Sequence, residues 1–229
     1  MGKDLTSRKT AVVIGATGNL GTAVCNALTA AGFWVDPTWT DPQHPDATLA
    51  SSYDNLPPKI DAAIYLAGVN RVTPATELSE ADWDFVFNVN LKGAYLFAQK
   101  AFPGMKAAGR SCLIGISSIM ATHPYPNRLA YTASKAGLEG LIKGLAVEWG
   151  ADGISTHALR LGHLSGLMKS TVTKPDLLNA VRSRTPSGQL IDPDEVAKYI
   201  VWLAQGGCAS MSGAVVDFDP AYTINRWPL

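Results

Sequence analysis

The sequence predicts one doubly wound α/β domain built on a parallel sheet, and three observations lead there. Short apolar runs alternate with helical or loop stretches along all 229 residues. The first run stops at a glycine-rich turn that leads into a helix. The two loop-rich stretches, 36–58 and 165–193, are too short to part the chain into two domains. At 47% hydrophobic and 17% charged, the chain has the apolar content to bury a core of that size.

In order, residues 11–14 (Ala-Val-Val-Ile) form an apolar run closed by Gly15, the pattern of a buried strand, and residues 20–31 have the Ala and Leu content of a helix ending at Gly32. Further buried strands are expected at 33–35, 62–67, 112–117, 155–161 and 214–218. Helices are expected at 81–108 with a break near Pro103, at 130–149 and at 194–204. The last opens on Asp192-Pro193, a capping residue followed by proline at the first turn. Helices in these positions cover both faces of the sheet.

Composition narrows the function classes. Nineteen basic residues balance nineteen acidic ones, so no global field draws in nucleic-acid backbones or anionic membranes, and neither partner is expected. Cys25, Cys112 and Cys208 lie far apart without paired spacing, which fits reduced thiols and a cytoplasmic setting. His44, His123, His157 and His163 make no helical ligand pair with carboxylates, and no metal site is expected. Between Lys9 and Asp36 there is no charge, enough length for a membrane span. Gly15, Thr17, Gly18, Asn19, Gly21, Asn26 and Gly32 interrupt the run, however, and argue against anchoring or export.

Gly15-Ala16-Thr17-Gly18-Asn19-Leu20-Gly21 sets three glycines at intervals of three between a strand and a helix. Without side chains the turn can close, and backbone N–H groups can approach a pyrophosphate whose charge the helix N-terminus stabilises. No Gly-Lys-Ser/Thr follows, which excludes an ATP-cleaving phosphate loop and favours a redox dinucleotide. A carboxylate about 20 residues on would bind the adenosine ribose of NAD, whereas a basic residue would favour the 2′-phosphate of NADP. Asp36 and Asp41 are both in range, and no Lys or Arg occurs between Lys9 and Lys59. NAD is the expected cofactor, with NADP left open. Either aspartate can equally be a turn residue beside Pro37 or Pro42.

Tyr131-Thr132-Ala133-Ser134-Lys135 places a phenol and an ammonium four residues apart, on one face of a helix. A neighbouring cation lowers the pKa of a phenol from its ordinary value near 10, which would make Tyr131 a usable acid or base near neutrality. Thirteen residues upstream, at the end of an apolar run, stands Ile116-Ser117-Ser118, and Asn88-Val89-Asn90-Leu91 opens a helix further back.

Together the glycine turn, Asn-Leu-x-Gly, Ser-Ser and Tyr-x-Ala-Ser-Lys resemble the short-chain dehydrogenase/reductase family, in particular its compact single-domain branch with a Rossmann-like fold. The resemblance runs from Ala11 to about Asp219. It implies an NAD(P)-dependent oxidoreductase that interconverts an alcohol and a carbonyl compound. Tyr131 is then the general acid/base, Lys135 lowers its pKa and holds the nicotinamide ribose, and Ser118 holds the substrate oxygen. Asn90 keeps a water in a proton relay to Lys135. Gly15, Thr17, Gly18, Asn19, Leu20, Gly21, Asp41, Ala67, Gly68 and Leu164 join Tyr131 and Lys135 around the cofactor. Ser117 is expected to face the core or to fix the strand end. The resemblance further implies a homotetramer or homodimer, formed through the helices carrying residues 90–100 and 131–149.

Several positions depart from the family pattern. The glycine turn has the form commoner in the family's larger members. Leu66 stands in Tyr65-Leu66-Ala67-Gly68 where the compact branch has a second asparagine, and Leu161-Gly162 and Phe218-Asp219-Pro220 replace Pro-Gly and Gly-Gly. The short stretch from Asp41 to Leu66 predicts that the helix before the strand at 62–67 is missing, with Asp46 near the adenine. Residues 164–190, with Met168, Lys169, Arg182 and Arg184, are expected to form a lid, and His123, Tyr125 and Asn127 to line the pocket. The rival reading is a dinucleotide-binding sensor that keeps the fold without turnover.

Overall fold

The computed structural model describes residues 8–40, 45–166, 175–207 and 209–225. Its centre is a six-stranded, wholly parallel sheet: β1 (Thr10–Ile14), β2 (Trp34–Val35), β3 (Ala62–Tyr65), β4 (Ser111–Ser118), β5 (Ile154–Leu161) and β6 (Ala214–Phe218), in the order β2-β1-β3-β4-β5-β6. Around it lie α1 (Asn19–Ala30), α2 (Glu80–Phe87), α3 (Gly93–Ala107), α4 (Leu129–Trp149), α5 (Pro175–Arg184) and α6 (Pro193–Ala204). The chain leaves β1 toward β2 on one side and returns to β3 on the other. That reversal opens a crevice at the carboxyl ends of β1 and β3, where doubly wound sheets bind their ligands.

Alternation along the strands divides the core in two. Ala11, Val13, Ile64, Ile114 and Leu159 meet Leu20, Val24 and Leu28 of α1 and Val196, Ile200 and Leu203 of α6. Val12, Ile14, Ala63, Leu113 and Ala158 meet Phe97, Ala101 and Met105 of α3 and Leu138 and Ile142 of α4. Burial on both faces explains why the strands read as continuous apolar runs.

Several expectations need correcting. The break predicted near Pro103 is absent: α3 runs through it to Ala107. Pro103 is exposed, so its ring and the hydrogen bond it removes lie on the solvent side, where water can satisfy the freed carbonyl. The interruption falls instead at Asn88–Lys92, a π-helical turn, so the Asn88-Val89-Asn90-Leu91 segment lies between two helices and does not begin one. The strand expected through Ala67 ends at Tyr65, and β2 shrinks to two residues before Asp36-Pro37. Loop-rich 165–193 also contains α5.

No α-helix occupies the described residues between β2 and β3, as the short spacing predicted; two 3₁₀ turns, Pro37–Trp39 and Ala50–Tyr53, stand there. Trp39 stacks on Tyr53 at 5.2 Å between ring centroids, and Tyr53 meets Phe97 at 5.6 Å, so aromatic rings cover the sheet face a helix would have covered.

Candidate active site

A cleft of about 740 Å³ opens at the carboxyl ends of the strands. Its walls include Gly15, Thr17, Gly18, Asn19, Leu20, Gly21, Ala67, Gly68, Ser118, Tyr131, Lys135 and Leu164, so most of the residues singled out from the sequence converge there. Asn90 lies just behind the wall, fully buried. Asp41 lies outside the described residues, as do Met168, Lys169, His44 and Cys208. A second cavity of about 590 Å³ opens at the amino ends of the strands, between Lys9, Cys112, Arg110 and Gly206, and holds none of the predicted site residues.

The glycine turn is built by steric necessity. Gly15 has φ +85°, and a Cβ on it would stand 2.8 Å from the Ala67 nitrogen, so β1 and the segment after β3 can touch only without a side chain. A Cβ on Gly21 would collide with the Gly15 carbonyl and lie 2.7 Å from the Ala16 backbone. Gly18, by contrast, caps α1 with no side-chain hydrogen bond and lines the cleft, where a Cβ on it would make only ordinary contact with the Gly15 carbonyl at 3.6 Å. The first intrahelical bond runs from Thr22 N–H to Gly18 C=O, which leaves the first-turn N–H groups of α1 free to receive an anion. These features fit a dinucleotide pyrophosphate. Asn19 Nδ2 donates to the Ser165 carbonyl at 3.2 Å, tying this turn to the far lip of the cleft.

At the other end, α4 carries the polar side chains. Lys135 is buried; its Nζ donates to the Ile116 carbonyl at 2.7 Å and stands 5.7 Å from the centre of the Tyr131 ring. Burial pushes the ammonium down to about 8. Ser118, at the end of β4, hydrogen-bonds the Tyr131 side chain and accepts from the Met120 N–H at 3.2 Å. The pKa of Tyr131 goes against the expectation from sequence: burial raises it, and the Ser118 hydrogen bond works downward against that rise. The ammonium is committed to a backbone carbonyl and itself weakened by desolvation, so the phenol stays protonated at neutral pH.

Asn90 explains the π turn. Its Oδ1 accepts from the Val69 N–H at 2.7 Å, and its Nδ2 donates to the Val69 carbonyl and to Ser134 Oγ, both at 2.9 Å. Ser134 Oγ in turn donates to the Tyr131 carbonyl at 2.8 Å. Both amide donors are used and one Oδ1 lone pair is left for a water. A Cβ on Gly68 would lie 3.2 Å from Lys135 Nζ and 3.6 Å from Asn90 Oδ1, which puts Gly68 between them. The Val89 carbonyl accepts from the Tyr65 hydroxyl at 2.5 Å, a strand-to-helix tie in the segment where Leu66 replaces asparagine.

Ser117 turns away from the cleft chemistry, as expected: its Oγ donates to Glu139 Oε1 at 2.6 Å. Tyr125 lines the cleft with its hydroxyl 3.0 Å from His163 Nε2, but His123 and Asn127 are exposed and do not line it. Arg182 and Arg184 are exposed on α5, Arg184 lying 5.1 Å over the Tyr222 ring. Sequence reasoning missed Asn70, Arg128, His163 and Tyr222 as cleft residues. Of these only Arg128 left a signal, standing one turn before Tyr131 on the same helix. Among the described residues no group of three His, Cys, Asp or Glu side chains could hold a metal, and no helix is long and apolar enough to cross a membrane.

Known proteins share this architecture. A family model described as enoyl-(acyl carrier protein) reductase matches residues 20–223. D-threitol dehydrogenase of Mycolicibacterium smegmatis is 34% identical over 166 residues, 72% of this chain, and the chain spans 64% of that relative's length. Cis-4-hydroxycyclohexanecarboxylate dehydrogenase of Sinomonas cyclohexanicum is 31% identical over 226 residues, covering 96% of this chain and 89% of the relative. A gluconate 5-dehydrogenase from Burkholderia cenocepacia, solved with NADP and tartrate, superposes with a TM-score of 0.87 over 94% of this chain and 95% of its own; at 21% identity it speaks for the fold alone. A family match over that much of the sequence, joined to the converging Tyr131 and Lys135, settles the kinship: the chain belongs to the short-chain dehydrogenase/reductase family.

Proposed function

We propose that the protein is an NAD(P)-dependent oxidoreductase interconverting an alcohol and a ketone or aldehyde, with Tyr131 as general acid/base. One observation carries this: Ser118, Tyr131 and Lys135 stand on one wall of a cleft whose other end is a helix N-terminus with free N–H groups. The names of its relatives, dehydrogenases acting on hydroxyl compounds, support the same reading. A bound nicotinamide dinucleotide supplies or accepts the hydride.

The rest of the chemistry belongs to the chain. Ser118 holds the substrate oxygen beside the Tyr131 hydroxyl. In reduction the protonated phenol, kept so by burial, gives its proton to that oxygen as the carbon gains a hydride. In oxidation the phenol first gives its own proton to the water held by Asn90; its oxygen then takes the hydroxyl proton as the carbon loses a hydride, and a carbonyl remains. Lys135 stabilises negative charge on that oxygen and holds the nicotinamide ribose, and Asn90 fixes the water that resupplies the proton past Gly68.

NAD is the preferred cofactor. Asp36 closes β2 with Oδ1 accepting the Thr38 N–H at 2.9 Å, and a cavity of about 300 Å³ is lined by Asp36, Thr38, Trp39 and Ser52, with no basic residue in its wall among the described residues. A 2′-phosphate there would meet the Asp36 carboxylate with no compensating cation among the described residues.

The test is NADH oxidation with a panel of ketones and aldehydes, comparing Tyr131→Phe. We expect kcat to fall by about 10²–10⁴-fold while dinucleotide binding persists. A variant as active as the parent would refute the assignment.

A further inference from the structure

We propose that the substrate is a hydroxy or oxo acid whose carboxylate is held by Arg128. This rests on the oxidoreductase reading above and narrows it to a substrate class.

Two buried polar atoms in the cleft wall have no hydrogen-bond partner: Arg128 Nε, a donor, and Asn70 Oδ1, an acceptor. A buried, unmatched guanidinium edge is costly, and a built site commonly leaves such an atom for its ligand. Among the described residues Arg128 forms no ion pair, and its guanidinium makes one long hydrogen bond, Nη1 to the Asn127 carbonyl at 3.4 Å. Among the described residues no Asp or Glu lines the cleft, and Arg128 and Lys135 are its fixed cations.

Position makes Arg128 a substrate contact. Arg128, Tyr131 and Lys135 are spaced i, i+3, i+7 along α4, so they lie on one face of it. Lys135 sits deep, against Ile116, and Arg128 stands at the opposite end of the row, about 4.5 Å along the axis beyond Tyr131. A compound whose reacting carbon is at Tyr131 would therefore bring a carboxylate a few bonds away onto Arg128. Arg128 is also the N-cap of α4, a position that usually holds a neutral or acidic side chain, and the first turn has no acidic residue. Helix dipole and guanidinium thus add their positive potentials, a combination that an anion relieves. Asn70 belongs to the facing loop, which is tied to this one by the Thr73 N–H donating to the Asn127 carbonyl at 3.1 Å. Its free oxygen accepts a hydroxyl of the same substrate.

The experiment pairs short oxo acids with their methyl esters, assayed by NADH oxidation in the parent, Arg128→Met and Arg128→Lys proteins. The parent is expected to prefer acids, and the acid-to-ester ratio of kcat/KM to fall by about tenfold to a hundredfold in Arg128→Met, through KM, and by less in Arg128→Lys. Calorimetric titration of malonate, which has no reducible ketone or aldehyde, into the parent and Arg128→Met proteins at saturating NADH gives a readout independent of turnover. Binding by the parent weakened at least tenfold in the variant supports the proposal. A ratio and a malonate affinity unchanged by Arg128→Met would overturn it. If Tyr131→Phe still abolished turnover in that case, the redox reading would survive its loss. Arg128-dependent malonate binding with no turnover of any carbonyl would sink the redox reading instead.

Discussion

At the scale of single residues, burial sets the protonation of the site. Lys135 is held with its ammonium at about 8 against an ordinary 10.5, so between those values the unfolded chain binds a proton that the folded chain does not. Stability from this group therefore rises as pH climbs from about 8 toward 10.5, and below 8 the folded state bears the full cost of a buried charge. The difference in urea midpoint between the parent and Lys135→Met should shift in the parent's favour between pH 7.5 and 9.5. A difference flat across that window would show that the ammonium is solvated. Tyr131 and Lys135 were legible from their spacing together with the glycine turn, Asn90-Leu91 and Ser117-Ser118 upstream, since the spacing alone is common by chance. The state of the phenol was not, because spacing tells that a cation is near and says nothing of the carbonyl that engages it or of how dry the surroundings are.

At the scale of elements, α4 presents the site and a buried ion pair seats it. Glu139, one turn after Lys135, takes two hydrogen bonds from Arg160 of β5, at 2.9 and 2.8 Å, and a third from Ser117 of β4. Arg160 also reaches Asp217 of β6, and the Glu139 carboxylate raises its pKa above the ordinary value. One carboxylate thus fixes the helix to two adjoining strands beneath Lys135. Glu139→Ala should cost about 3 kcal/mol in chemical denaturation, since it leaves the half-buried Arg160 guanidinium only Asp217 and strips Ser117 of its closest acceptor; Glu139→Leu combined with Arg160→Leu should cost less. A loss under 1 kcal/mol in the single variant would mean that water already screens the pair. None of this was legible in the sequence, where Glu139 and Arg160 are 21 positions apart with no motif to join them. The π turn at Asn88–Lys92 was hidden for the same reason: it exists because Asn90 reaches Val69 and Val89 receives Tyr65, contacts made across the fold.

At the scale of the whole molecule, apolar side chains remain uncovered on the helices that carry the site. Val147 is 86% exposed on α4 and Tyr95 45% exposed on α3, and Leu129 of α4 and Phe85 of α2 are exposed as well. We propose that these helices form the contact between copies of the chain, as a homotetramer or homodimer. Light scattering at micromolar concentration should report two or four chains, and Val147→Glu should shift the distribution toward one. A parent that is monomeric throughout that range would end this proposal. The sequence by itself determined the parallel sheet, the glycine turn and the polar row on α4, because apolar runs, obligatory glycines and helical spacing are local and survive without knowledge of neighbours. Only the tertiary structure decided that Arg128 and Asn70 share the cleft with Tyr131, and that Asn90 sits in a π turn between α2 and α3. It alone gave the aromatic stack of Trp39 and Tyr53 the place of a helix. Each of these depends on which segments the sheet order brings together, and pairing between distant segments leaves no mark on the residues in between.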